Sequence, residues 1–210
     1  MASDLELKFP ALTTRKHAKP RAVDDVTVNG RLDTPVSFEL AQRGRLVITG
    51  PNGAGKSTLL EVISGHLTPN TGHVSVPQGT RVGYLQQESN LPDEQRVGEY
   101  YLRQVEHLVS TGAIKKSQAL RFSDLGLLRD AEMDKRIGEL SMGQQRRLEL
   151  ALVSARLPHV LILDEPTNHL SIALVDELTQ ALEATDAAVV LSSHDRQLLR
   201  DTKQWPQISL

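Results

Sequence analysis

Gly50-Pro51-Asn52-Gly53-Ala54-Gly55-Lys56-Ser57-Thr58 places glycines, a lysine and two hydroxyls at the spacing G-x-x-x-x-G-K-[ST], which wraps a nucleoside triphosphate. Glycines let backbone N–H groups turn inward as an anion nest, and a helix starting there adds its positive dipole end. Lys56 is expected to reach the β- and γ-phosphates, and Ser57 to offer its hydroxyl to Mg²⁺. Further along, Asp164-Glu165 directly follows the apolar run Val160-Leu161-Ile162-Leu163. Asp164 suits Mg²⁺, directly or through water, which leaves Glu165 to orient and polarise an attacking water. His194, in Ser192-Ser193-His194-Asp195, is placed to contact the γ-phosphate and sense its loss. Gln87, in Tyr84-Leu85-Gln86-Gln87-Glu88, offers an oxygen to Mg²⁺ or a hold on the water. Finally, Ser141-Met142-Gly143-Gln144 reads in two compatible ways. It is an S-x-x-Q capping box, and its serine hydroxyl, glycine N–H and helix start form a second phosphate site.

These residues work together only if the chain brings them to one place. Arg45 to Thr49 is an apolar, partly β-branched strand leading into the glycine loop. Leu59, Leu60, Val62 and Ile63 then put apolar groups on one face of a helix that stops near Gly65. Val160–Leu163 has the unbroken apolar character of a parallel strand covered on both faces, and Ala187–Leu191 reads as a last strand leading to Ser192. In such a sheet ligands lie at the C-terminal strand ends, so Asp164, Glu165 and His194 are expected to face the phosphate loop. Leu5–Phe9, Ala22–Val28, Pro35–Ala41, His73–Val76 and Arg81–Leu85 read as further strands, with Asn29-Gly30 as a turn. Val97 to Leu128 reads as helical, with Tyr101, Val105 and Leu108 on one stripe and Ala119, Phe122 and Leu125 on another. Leu148, Ala151, Leu152 and Ala155 form the buried face of the helix after Gln144.

Composition narrows the classes. A chain of 210 residues fits one domain with a sizeable core. No apolar run is long enough to span a bilayer, and the first residues contain no signal-peptide segment. The absence of cysteine excludes disulfides and thiolate metal sites. A net charge of -2 gives no global pull toward nucleic acid, and 3% aromatic residues are too few for an extensive base-stacking platform. Arg15, Lys16, His17, Lys19 and Arg21 form a short basic cluster in an expected loop, a solvated surface or a local phosphate contact.

In order and spacing, the phosphate loop, Leu140-Ser141-Met142-Gly143-Gln144, Leu163-Asp164-Glu165-Pro166 and His194 resemble the ATP-binding cassette (ABC) ATPases over almost the whole chain. That resemblance implies a P-loop NTPase of α/β class, with an N-terminal antiparallel β subdomain and an inserted helical subdomain at about 89–141. Residues 1–210 would be a single cassette. It also implies ATP and Mg²⁺ as ligands, with Ser57, Gln87 and Asp164 at the metal. Lys56, Glu165 and His194 would be the catalytic groups. Two cassettes of this family close head to tail, so Ser141, Gly143 and Gln144 would act on the partner's ATP.

Glu165-Pro166-Thr167-Asn168-His169-Leu170 and Ser193-His194-Asp195-Arg196 resemble the ABC-F branch, cytoplasmic proteins that act on ribosomes. Within it the chain is most similar to the second cassette of macrolide-type resistance proteins, which implies a ribosome partner and antibiotic resistance. The alternative is the nucleotide-binding subunit of a membrane transporter. Met142 stands where glycine is common and Ser171 where aspartate is usual. No clear aromatic precedes the loop to stack on adenine, leaving His17 or another side chain as a substitute. ABC-F proteins carry two cassettes joined by a charged helical linker, so this chain is expected to be part of a longer protein or a self-pairing half.

Overall fold

The computed structural model describes residues 21–210, so the expected strand at Leu5–Phe9 and the basic residues Arg15, Lys16, His17 and Lys19 lie outside it. Arg21, the last of that cluster, opens a strand instead of sitting in a loop. Two compact units are built from the described residues: one from 21–87, 158–166 and 185–210, the other from 88–157 and 167–184.

In the first unit, β1 (Arg21–Val28) and β2 (Leu32–Leu40) form an antiparallel hairpin. The expected Asn29-Gly30 turn joins them, and the Arg31 N–H donates to the Val28 carbonyl at 3.0 Å. β4 (Thr71–Ser75) pairs with the other edge of β1, giving the order β2-β1-β4. Register shifts along β1 coincide with positive φ at Asp25, so the apolar side keeps Val23, Val26 and Val28 buried despite broken alternation.

The second sheet has five parallel strands in the order β5-β6-β7-β3-β8. They are β3 (Arg45–Thr49), β5 (Val82–Leu85), β6 (Val160–Asp164), β7 (Ala188–Ser192) and β8 (Gln207–Ser209). Every residue of β6 and β7 is buried, as the apolar runs Val160–Leu163 and Ala188–Leu191 require, and the polar Asp164 and Ser192 that end them are buried as well. Leu46, Ile48, Val160, Ile162, Ala188 and Val190 pack with Leu59, Leu60, Val62 and Ile63 of α1 (Lys56–Ser64) and with the antiparallel sheet. Each fully buried aliphatic side chain of α1 stabilises this core by about 1.5–3 kcal/mol. After Gly65, the N–H groups of Gly65 and His66 return to the Val62 and Glu61 carbonyls and end the helix where the sequence places its end. β8, which sequence reading did not find, is fixed by its lead-in. Trp205 is buried beneath the Arg45 guanidinium (5.6 Å to the ring centre), which also donates to the Thr185 and Ala187 carbonyls at 2.7 and 2.8 Å.

In the second unit, α2 (Val97–Ser110) buries Val97, Tyr101, Val105 and Leu108 along one stripe. Tyr101 meets Phe122 edge to face at 4.8 Å and donates to the Leu120 carbonyl at 3.2 Å. The helical reading of 97–128 needs correction: helix α2 ends at Ser110, and Phe122 and Leu125 are buried from a 3₁₀ turn. Gly112 takes φ 71°, and the chain continues as short 3₁₀ turns at Lys116–Gln118, Phe122–Leu125, Asp130–Glu132 and Ile137–Glu139. A local pattern builds each of them. The side chains of Gln118, Asp124, Glu132 and Glu139 accept the backbone N–H groups of Lys115, Arg121, Arg129 and Arg136 at 2.7–3.2 Å, three residues back. These bonds favour isolated turns over a continuous ladder. Two longer helices, α3 (Met142–Ala155) and α4 (Ile172–Ala184), follow. Among the described residues no helix is long and apolar enough to cross a membrane.

Candidate functional site

Parallel pairing sends the C-terminal ends of four strands to one edge of the sheet. Leu85 of β5 is in register with Leu163 of β6, Asp164 with Ser192 of β7, and Ser192 with Ile48 of β3. The residues immediately beyond these ends are Gln86-Gln87, Glu165, Ser193-His194 and the phosphate loop. All belong to the first unit. β7 separates β6 from β3, so the Asp164 strand lies two strand spacings, about 10 Å, from the loop's strand. That spacing suits a triphosphate end held between them.

The phosphate loop takes a backbone that only glycine adopts easily. Gly55, with φ 95°, immediately precedes α1, and a Cβ there would come within 2.5 Å of the Arg31 carbonyl oxygen. Gly50 has φ 142°, and its Cβ would lie 2.9 Å from the Leu210 carbonyl oxygen. The loop is therefore wedged between two backbone walls. Lys56 is buried, and its Nζ donates to the Gly50 and Pro51 carbonyls at 2.9 Å each, which folds the ammonium back over its own loop. Pro51, Asn52 and Gly53 are exposed, Ala54 and Ser57 are half-buried, and Thr58 is buried.

Asp164 and Glu165 are both buried at the end of β6. The Ser192 hydroxyl donates to Asp164 Oδ1, and the Glu165 N–H donates to the Ser192 carbonyl at 3.0 Å. Glu165 has φ 46°, an uncommon backbone for a residue with a side chain, and here the turn directs its carboxylate along the strand ends. Its Oε2 accepts the His194 N–H at 3.0 Å, while His194 Nε2 lies 3.5 Å from Oε1. The structure thus brings Glu165 and His194 into contact, which their expected place at one sheet edge did not specify. Gln87 is exposed two residues beyond β5. Ser192 was missed in the sequence reading; its only signal was its place in Ser-Ser-His-Asp, and the strand register gives it a role. Burial raises the pKa of the Tyr84 hydroxyl on β5, with Asp164 and then Glu61 adding to the effect.

These residues fit a magnesium nucleotide. The glycine loop is a cradle that Cβ atoms would fill, and Ser57 and Asp164 are hard oxygen donors. Among the described residues no three His, Cys, Asp or Glu side chains form a metal cage. Mg²⁺ does not need one when one or two protein oxygens and the substrate phosphates complete its shell.

Ser141, Gly143 and Gln144 belong to the second unit, at the start of α3. The expected capping box is present, with the Gln144 N–H on Ser141 Oγ at 3.3 Å and the Ser141 N–H on Gln144 Oε1 at 2.9 Å. Gln144 Nε2 also donates to Glu132. Gly143 has a packing reason to be glycine, since a Cβ would lie 2.8 Å from the His169 carbonyl oxygen. His169 itself takes φ 65° in the turn closed by the Leu170 N–H on the Thr167 carbonyl at 3.0 Å. Met142, just before Gly143, is exposed.

The ABC transporter family model matches residues 34–168. The chain belongs to the ABC transporter family. Within this family it falls in the ABC-F branch. It is 46% identical over 177 residues to the tylosin resistance ATP-binding protein TlrC of Streptomyces fradiae, covering 84% of this chain and 31% of that protein. It is 39% identical over 161 residues to ABC transporter F family member 4 of Arabidopsis thaliana, covering 74% and 21%. The ABC cassette fold agrees with the dimeric structure of MJ0796, a bacterial ABC transporter cassette (TM-score 0.73, 21% identity, 90% of this chain and 94% of that one). The chain spans about a third or less of the length of these curated relatives.

Proposed function

We propose that this ABC cassette binds Mg-ATP at the phosphate loop and hydrolyses it in partnership with a second cassette, acting on bacterial ribosomes to relieve an antibiotic. The observation that carries the catalytic reading is Glu165, buried and bonded to His194 at the strand ends facing the phosphate loop. Residues 1–210 act as one cassette with a helical subdomain at about 89–141. Gly50, Pro51, Asn52, Gly53, Ala54, Gly55, Ser57 and Thr58 hold the phosphates, and Lys56 leaves its loop carbonyls to meet the β- and γ-phosphates. Ser57, Asp164 and Gln87 hold Mg²⁺, which supplies charge neutralisation on the phosphoryl oxygens. Glu165 orients the attacking water and accepts its proton, while His194 supports Glu165 and senses the γ-phosphate.

Ser141, Gly143 and Gln144 complete the site of the partner cassette. Closure on ATP does the mechanical work and hydrolysis reopens the pair. Likeness to a tylosin resistance protein supports drug relief, and the Glu165–Leu170 stretch supports a cytoplasmic ribosomal target.

Co-sedimentation with bacterial ribosomes tests this reading, using Glu165→Gln with Mg-ATP beside the matching two-cassette protein. ATP-dependent pelleting is expected. If the two-cassette form stays in the supernatant, the ribosomal role is wrong. Glu165→Gln itself is expected to keep ATP binding and lose turnover by at least about a hundredfold; wild-type turnover in that variant removes Glu165 from catalysis.

A further inference from the structure

The Ser141–Gln144 cap is not self-contained, because both ends of the Gln144 amide have partners. Gln144 Oε1 accepts the Ser141 N–H at 2.9 Å, and Gln144 Nε2 donates to Glu132 Oε1. The other oxygen of the half-buried Glu132, Oε2, accepts the Arg129 N–H at 2.8 Å. One hydrogen-bonded line therefore joins the Arg129 backbone, Glu132, Gln144 and the Ser141 backbone, all within the second unit.

The far end of this line is anchored. Within the Asp130–Glu132 turn, the Glu132 N–H donates to the Arg129 carbonyl at 2.9 Å and the Met133 N–H to the Asp130 carbonyl at 3.0 Å. The Met133 and Lys135 carbonyls then accept the Gly98 and Val97 N–H groups at 3.0 Å each. These are donors that the first turn of α2 cannot pair within its own helix. Gly98 fits closely there, since a Cβ would lie 3.2 Å from Met133 Cε and 3.3 Å from the Met133 carbonyl oxygen. The start of α2 thus holds the turn from which Glu132 reaches α3.

A carboxylate presents only acceptors, whereas an amide presents one acceptor and one donor group. Between the Ser141 N–H and Glu132, the Gln144 amide has a single satisfied orientation. Flipped, it would set donor against donor at one end and acceptor against acceptor at the other, which is costly away from water. Ser141 Oγ already accepts the Gln144 N–H, so its hydroxyl hydrogen is the group left to offer an anion.

We propose that Glu132 is a positioning residue for the second phosphate site. By fixing the Gln144 amide from the α2 side, it sets the Ser141 hydroxyl and the start of α3 to receive the phosphate of a partner cassette's nucleotide. This rests on the reading that Ser141, Gly143 and Gln144 complete the partner's site. Glu132 acts through Gln144 and touches no nucleotide itself.

The test measures Mg-ATP-dependent pairing by sedimentation velocity in the 210-residue chain carrying Glu165→Gln, beside ATP affinity at low protein concentration. Glu132→Gln keeps the shape and turns one acceptor into a donor. It is expected to weaken pairing by about tenfold and leave ATP affinity within about twofold. Gln144→Glu alone sets two carboxylates together and is expected to weaken pairing at least as much. Combined, the two exchanges rebuild the line, because the new amide at 132 accepts from Arg129 and donates to the new carboxylate at 144, which still suits a capping box. The double exchange is therefore expected to lose less than the two single losses combined. Independent, multiplying losses would overturn the proposal. So would a Glu132→Gln chain that unfolds more easily yet pairs normally, or one that loses pairing and ATP affinity alike. If the Glu165→Gln chain does not pair with Mg-ATP while Glu132 is intact, the paired-cassette reading itself fails and the positioning role falls with it.

Discussion

Tyr84 sits half-buried on β5, and burial keeps its hydroxyl protonated above the usual range, with Asp164 and Glu61 reinforcing the shift. In the unfolded chain a tyrosine ionises near pH 10. The folded-state pKa is the higher of the two, so the stabilisation is complete below about pH 10 and is lost as pH rises above it. Tyr101 behaves alike, through burial first and Asp124 second. Denaturant midpoints measured near pH 9 and pH 11 are expected to fall with pH in the wild type and to fall less in Tyr84→Phe. An identical drop in both proteins would show that Tyr84 does not contribute.

At the scale of elements, the start of α3 combines a cap with a tight contact. Ser141→Ala removes the side-chain acceptor for the Gln144 N–H and is expected to cost about 1 kcal/mol in denaturant unfolding. Gly143→Ala sets two effects against each other. Alanine gains up to about 1 kcal/mol of helix propensity. Its Cβ also lands on the His169 carbonyl, and such overpacking costs about 1–3 kcal/mol. The clash is with backbone in a turn already holding φ 65°, so relief is difficult and the variant is expected to be the less stable protein. A Gly143→Ala protein more stable than wild type would mean that the Thr167–Leu170 turn yields easily.

At the scale of the molecule, exposed apolar side chains lie close in sequence to both partners of this contact. Met142 precedes Gly143 and is 54% exposed, and Ile172 lies three residues after His169 and is 74% exposed. In the proposed cassette pair these positions would be covered. With Mg-ATP, Glu165→Gln is therefore expected to sediment as a dimer. Adding Ile172→Glu or Met142→Glu to that variant should return it to monomer without changing ATP affinity measured at low protein concentration. Persistent dimers in both double variants would remove these side chains from the interface.

The phosphate loop, the Asp164-Glu165 pair after a buried strand and the Ser141–Gln144 cap were legible in the sequence because each is a local pattern. Spacing within a few residues dictates the backbone there, and burial demands an unbroken apolar run. The helical reading of 97–128 failed for a related reason: apolar periodicity continued past Ser110, but side chains accepting N–H groups three residues back broke the ladder into turns. Only the tertiary structure decided what depends on strand order and register. These set Ser192 against Asp164 and His194 against Glu165, placed β8 beside β3, and brought Arg31 and Leu32 against Gly55. Such contacts join residues tens of positions apart, and no periodicity records which strand lies beside which. The sequence by itself determined the glycine pattern of the loop and the place of the carboxylates after a buried strand, and the packing of the two sheets around α1 decided what surrounds them.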